Sequence, residues 1–222
     1  MKKVKILFKF PTRERPEIFK QTLSIWQDNL SGEYDYRFLV TLDSDDSTMN
    51  NPDMRKYMDD RPNLEYKFGE HASKIDAVNA DMKDEDFDIL VLVSDDMLPR
   101  VKQYDKIIVQ MMEKYFPDMD GALHFHDGLF GKDNTITLSI MGKKLYDYFG
   151  YIYHPDYKSF YCDNEFTDQV RKLKKVVYCP TIIVKHGWQK YVGKDALYKK
   201  NSKKGKQDSA TYARRKDLGF PI

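Results

Sequence analysis

The chain has 222 residues, 41% of them hydrophobic and 32% charged, with a formal net charge of +2. That length suits one domain of moderate size, or one domain with an appendage, and the balanced charge argues against a global field that would draw a nucleic acid or a membrane. The two cysteines, Cys162 and Cys179, show no Cys-x-x-Cys spacing, which argues against a zinc knuckle or a disulfide framework.

Residues 4–10 read as a strand ended by Pro11. Its apolar run is broken by Lys5 and Lys9 and leads to no small-residue cleavage site, so it does not read as a signal peptide. No apolar run approaches the length of a membrane span, and the expectation is a soluble, reduced, cytoplasmic protein. Pro16 stands where a helix begins. Phe19, Leu23, Trp26 and Leu30 follow at spacings of four, three and four, one apolar helical stripe stopped by Ser31 and Gly32. Residues 36–42 read as a second strand and 63–68 as a third, shorter one. A helix over 73–82 puts Ile75, Val78 and Met82 on one face. Residues 88–93 form a fourth strand, apolar without interruption and therefore buried on both sides. Val101, Tyr104, Ile108, Met111 and Tyr115 make the next helical stripe.

The second half is less regular. Strands are predicted over 122–125 and 135–140, with His126-Asp127-Gly128 turning between them. A short helix is predicted over 142–149. Another over 164–173 carries Phe166, Val170 and Leu173 inward. A last strand over 176–184 is interrupted by Pro180 and so lies near a sheet edge. The chain then turns polar, with a loop expected at 201–205. No Gly-x-Gly-x-x-Gly follows the first strand, which disfavours a dinucleotide fold of that kind. His124-Phe125-His126-Asp127 fails a di-zinc pattern, because the aspartate comes one residue early and no histidine follows it. It reads as a strand end with one histidine inward and one in a loop.

Strand and helix alternating at this pace predict an α/β fold with a mostly parallel sheet flanked by helices. In such sheets the ligand site lies beyond the carboxyl ends of the strands. Three features fall there: Pro11-Thr12-Arg13 with Arg15, the cluster Asp43-Ser44-Asp45-Asp46, and Ser94-Asp95-Asp96. One acidic cluster alone reads as a turn. Two clusters and two arginines on one edge suit a metal–diphosphate ligand, since a hard divalent ion takes carboxylate and phosphate oxygens and arginine takes the remaining phosphate charge.

The order strand–Pro-Thr-Arg–helix, strand–Asp, short strand–helix, strand–Ser-Asp-Asp resembles the nucleotide-binding half of a GT-A glycosyltransferase of the family 2 kind. Downstream, the segment Phe160-Tyr161-Cys162-Asp163-Asn164-Glu165 resembles the acidic opening of the helix that holds the catalytic base. Arg171 lies further along that helix. Lys185-His186-Gly187 resembles the histidine turn that completes the metal site. The resemblance covers roughly residues 4–190. It implies a single GT-A domain over 1–190, with a nucleotide-binding half (1–100) and an acceptor and catalytic half (101–190), followed by a basic extension over 191–222.

The resemblance also implies a metal-dependent, inverting transfer of a sugar from a nucleoside diphosphate to an acceptor hydroxyl, with Mn2+ or Mg2+ as cofactor. Pro11, Thr12, Arg13, Arg15, Asp43, Asp45 and Asp95 would bind the donor. Ser73, Lys74 and Asn79 would face it, or would be ordinary helix-capping and surface residues. The Asp-x-Asp of the family is incomplete, because Val93 stands two before Asp95. The metal would therefore be held by Asp96, Asp95 or both, with His186. Asp163 would be the base, with Glu165 as the second candidate. Residues 185–216 carry eleven Lys/Arg against two acids. Trp188, Lys199 and Lys200 could receive a glycan or a polyanionic acceptor, modified DNA among the candidates, or the segment could serve solubility alone. Two alternatives stand beside the transferase: a nucleotidyltransferase, although a Gly-rich loop after the first strand is missing, and a nucleotide-sugar-binding GT-A module without turnover.

Overall fold

A computed structural model of the chain describes residues 3–187 and 196–222. Four parallel strands form the first half of a seven-stranded sheet: β1 (Lys5–Pro11), β2 (Asp35–Asp43), β3 (Leu64–Gly69) and β4 (Ile89–Leu92). The sheet continues through β6 (Ala122–Phe125), β7 (Ile140–Gly142) and β8 (Val176–Cys179) in the order β3-β2-β1-β4-β7-β6-β8. Only β7 runs against its neighbours, so β6 points the same way as β1 and β4. A separate antiparallel ribbon joins β5 (Met97–Pro99) to β9 (Val184–His186).

The alternation along β1 sends Ile6, Phe8 and Phe10 to one face and Leu7 to the other. Against the first face pack α1 (Pro16–Asp28), α2 (Pro52–Asp59) and α4 (Tyr104–Tyr115), through Phe19, Leu23, Trp26, Met54, Met58, Tyr104 and Ile108. Trp26 is fully buried yet satisfied, since its Nε1 donates to the Met97 carbonyl at 2.8 Å. Burying such a ring contributes about 1.5–3 kcal/mol. The second face takes α3 (Lys74–Asn79), α5 (Lys143–Phe149) and α6 (Cys162–Lys172), through Ile75, Val78, Leu145, Phe166 and Val170. Two further helices, α7 (Ala196–Ser202) and α8 (Gly205–Asp217), complete the described chain.

Several expectations are corrected. The strand over 135–140 is reduced to β7 at its far end: Ile136 and Leu138 are buried alternately, but the Ile136 N–H goes to Thr167 Oγ1 and not to a ladder. The strand over 176–184 is two strands in two sheets, because Pro180 and its neighbours leave the large sheet before β9 begins. The helix α2 went unread, although Asn51 caps it by accepting the Met54 N–H and Pro52 opens it. The loop at 201–205 shrinks to the junction of two helices. The inward face of α8 is Asp208, Tyr212 and Arg215, a helical stripe made of polar residues that a search for apolar periodicity passes over.

Candidate functional site

The carboxyl ends of β1, β2 and β4, the start of α3, the first turn of α6 and one side of α7 enclose a cleft of about 980 Å³. That is at the upper end of the roughly 300–1,000 Å³ typical of ligand sites.

At one end of the cleft the first acidic cluster is neutralised by Arg13. Its Nη1 lies 2.8 Å from Asp43 Oδ2. The same guanidinium grips Asp45 in a two-point contact, at 2.6 and 3.0 Å. Hydrogen bonding to Asp45 and Asp43 raises the Arg13 pKa further above its ordinary value, against partial burial. His71 Nδ1 lies 2.8 Å from Asp43 Oδ1. Asp43 is therefore held from both sides and lines the cleft, while Asp45 is exposed and outside the lining.

The second cluster divides. Asp95 is buried against the β1 turn: Thr12 Oγ1 donates to it at 3.2 Å, and Arg15 Nη1 lies 3.5 Å away. Burial pushes its carboxyl up to about 7, against the pull of Arg15. Asp96 faces the other way, toward His186 Nε2 at 3.3 Å. The β5–β9 ribbon brings the two together, pairing Met97 with His186, and the Gly187 N–H donates to the Asp96 carbonyl at 2.6 Å. Ser94 Oγ donates to Asp96 Oδ1 at 2.6 Å.

Asp127 completes this arrangement. It follows β6, whose carboxyl end lies on the same sheet edge. Its Oδ2 lies 3.4 Å from His186 Nδ1, while its main-chain carbonyl accepts the His186 N–H at 2.8 Å. Its other contacts are fixed: the Leu129 and Phe130 N–H groups bond Oδ1, and Thr137 Oγ1 bonds Oδ2. Burial disfavours charge on the His186 ring, but Asp127 and Asp96 outweigh it and raise the pKa to about 9. Burial likewise opposes the Asp96 charge, yet His186 and Ser94 hold its carboxyl well below the usual range.

The donor set suits a hard divalent ion completed by a ligand. Among the described residues no three His, Cys, Asp or Glu side chains converge as a ready-made cage. Asp96 and His186 would supply one oxygen and one nitrogen, and phosphate oxygens and water the rest. Asp127 lies beside the His186 ring, where a carboxylate can orient a metal-binding imidazole, although at 3.4 Å Nδ1 makes no hydrogen bond.

Asp163 lines the same cleft from the first turn of α6. Burial raises its carboxyl pKa, and Lys74 and His186 restrain that rise. Lys74 also acts on Asp96, so this lysine stands between the two carboxylates in electrostatic terms. Ser73 caps α3 by accepting the Asp76 N–H at 3.2 Å, and it lines the cleft together with Lys74. Pro11 and Lys200 line it as well.

Other expected residues lie elsewhere. Glu165 is turned away from the cleft and buried. It receives Arg215 at 2.7 and 2.8 Å, Tyr157 Oη at 2.7 Å and Gln169 Nε2 at 2.7 Å, which leaves no oxygen for an acceptor. Asn79 sits at the far end of α3, where Oδ1 accepts the N–H groups of Ile152 and Tyr153 and Nδ2 donates to the Tyr153 carbonyl. Lys199 is exposed and off the cleft. Arg171, by contrast, does reach the cleft lining, where it ties down a loop by donating to the Lys132 and Asn134 carbonyls. Trp188 lies outside the described residues. Asp127 and His71 were missed. Asp127 stood in the rejected zinc pattern, and the strand-end rule, applied to β6, would have singled it out.

No protein-family model matches the chain, and no curated protein does. Solved structures do. The mannosyltransferase PcManGT from Pyrobaculum calidifontis, in complex with GDP-Man and Mn2+, superposes with a TM-score of 0.65 at 13% identity, over 84% of this chain and 57% of that one. TarS 1–349 from S. aureus gives 0.64 at 13% identity, over 85% and 62%. A mutant Drosophila β1,4-galactosyltransferase 7, in complex with manganese, UDP-Gal and xylobiose, gives 0.56 at 14% identity, over 85% and 73%. The chain spans about 57% and 62% of the first two. The fold is that of the GT-A glycosyltransferases, as the sequence resemblance implied.

Proposed function

We propose that the chain is a divalent-metal-dependent glycosyltransferase that moves a sugar from a nucleoside diphosphate to an acceptor hydroxyl with inversion. The observation that carries this is one cleft lined by both the Asp96–His186 pair and the Asp163 carboxylate, its pKa raised by burial and restrained by Lys74 and His186. Asp43, with His71 and Arg13 behind it, receives the nucleoside. Asp96 and His186 would hold the ion, Mn2+ or Mg2+, with Lys74 as a further cation there. The bound ion supplies charge compensation for the departing diphosphate. Asp163 takes the proton of the acceptor hydroxyl as its oxygen bonds to the anomeric carbon. The bond from that carbon to the diphosphate oxygen breaks on the opposite face. A carboxylate with a raised pKa is the better base for this step.

The acceptor reading narrows. Arg214 pairs with Asp156, Arg215 with Glu165 and Lys216 with Asp168, so these three do not serve a polyanion. Lys200 and Lys204 line the cleft and remain the cations for a phosphate-bearing acceptor, a nucleic acid included. A neutral glycan is the other reading, favoured by the exposed aromatic rings of Phe130 and Tyr161 on the lining. The test is release of nucleoside diphosphate from a panel of nucleoside diphosphate sugars with Mn2+. Release from at least one donor is expected. No release from any, with nucleotide still bound, would favour a binding module, and pyrophosphate release from nucleoside triphosphates a nucleotidyltransferase.

A further inference from the structure

Behind the wall that carries Asp163, the C-terminal helix α8 presents a fully buried carboxylate. Asp208 is 0% exposed. Its Oδ1 accepts the Lys158 N–H at 2.9 Å, and its Oδ2 accepts those of Ser159 and Phe160, each at 2.8 Å. Three successive amides closing on one carboxylate form a strong, charge-assisted anchor. The other side of the same loop is cleft wall: Lys158, Ser159, Phe160 and Tyr161 all line it, and Asp163 follows.

The helix that carries Asp163 has no cap of its own. Its N-cap is Tyr161, in the left-handed region at φ 61°, with no side-chain hydrogen bond to the first turn. That backbone is unfavourable for a residue with a Cβ and persists where its surroundings hold it. Asp208 supplies part of that hold. Two turns along α8, Arg215 grips Glu165 in α6 itself. The C-terminal helix thus holds both the approach to the catalytic turn and the turn's own helix.

We infer that Asp208 is a positioning residue for Asp163: from outside the cleft it fixes the 158–160 backbone, and through it the left-handed turn that aims the Asp163 carboxylate at the acceptor. This rests on the reading of Asp163 as the base. In Asp208→Asn the size is kept, but an amide NH2 replaces one acceptor oxygen. The expected result is a fall in kcat for transfer of about 10- to 100-fold, the scale of a misplacement of roughly 1 Å. The KM for the sugar nucleotide and the Mn2+ requirement should stay, and Asp208→Glu, which keeps both acceptor oxygens, should recover part of kcat. By hydrogen exchange the amides of Lys158, Ser159 and Phe160 should lose protection while those of β1, β2 and β4 keep theirs. A wild-type kcat in Asp208→Asn overturns the role, as does loss of protection spread evenly over the sheet. Should that variant not fold, exchange on the wild-type protein decides, because unprotected amides at 158–160 contradict the anchor. A wild-type protein that turns over no donor overturns the functional reading and this role with it. An active wild type with an unaffected Asp208→Asn overturns this role alone.

Discussion

Single carboxylates in this cleft are assigned by what surrounds them. Asp95, Asp96, Asp127 and Asp163 are the same chemical group in four settings. Thr12 and Arg15 hold Asp95 into the scaffold, and Ser94 and His186 hold Asp96. Asp127 is satisfied by two main-chain N–H groups and Thr137, with His186 alongside. Asp163 accepts the Asn164 N–H at 3.0 Å, and burial raises its pKa. Replacing Asp163 by Asn removes the proposed base while keeping the side chain's size. Transfer should fall by about 10²–10⁴-fold, the usual worth of a general base, with sugar-nucleotide affinity by calorimetry within about two-fold of wild type. Replacing Asp127 by Asn leaves the His186 imidazole without its carboxylate. Mn2+ affinity in the presence of nucleotide should drop by about 10- to 100-fold. Unchanged Mn2+ affinity would reduce Asp127 to a loop-holding residue.

Elements explain why some of this could be read in the sequence and some could not. β1, β2, β3 and β4 announce themselves by apolar runs ending in Pro11, Asp43, Gly69 and the Ser94 turn, and the site at their carboxyl ends follows from topology alone. The place of Thr12, Asp43 and Asp96 on the cleft was therefore legible, whereas Asp163 came only from the family resemblance. The side-chain partners were not, because they depend on tertiary pairing: β5 is three residues long and has no period of its own, yet it sets Asp96 beside His186. Glu165 and Asp163 are two apart and look equivalent, but two residues on a helix turn a side chain to the far side. On that far side the buried Glu165–Arg215 pair joins α6 to α8. Arg215→Met should destabilise the protein by about 3–5 kcal/mol, by leaving a buried carboxylate unpaired. The double variant with Glu165→Leu should recover most of that loss, read as thermal midpoints. Equal losses in the single and double variants would show that the pair contributes packing and not charge compensation.

Across the whole molecule the net charge is small, but the charges are sorted. Bases of α8 are matched to acids of α6 and the loop before it, and Lys200 of α7 and Lys204 after it line the cleft. One cation is buried in the sheet itself. Lys9 is 0% exposed, its Nζ donating to the Ala80 carbonyl at 2.6 Å and to Thr41 Oγ1, with Asp81 3.9 Å away. Burial lowers its pKa from 10.5 to about 8, with Asp81 opposing. The unfolded chain then binds more protons than the folded one between about pH 8 and 10.5, so stability gains from Lys9 as pH rises through that window. At neutral pH the buried charge costs about 3 kcal/mol relative to that limit. The difference in unfolding free energy between wild type and Lys9→Met should shift toward wild type by about that much from pH 8 to 10.5. A difference that stays flat with pH would mean that the Lys9 ammonium is solvated as in the unfolded chain.

The proposed function requires this cleft to bind a nucleoside diphosphate through a divalent ion. Titrating the protein calorimetrically with UDP, GDP, ADP, CDP and dTDP, each with Mn2+ and each with a chelator, tests it most directly. At least one nucleotide should bind with Mn2+ and lose most of its affinity in chelator, and Asp96→Asn should reproduce that loss in the presence of Mn2+. Binding of equal strength with and without the ion, or no binding of any nucleotide, would contradict the account.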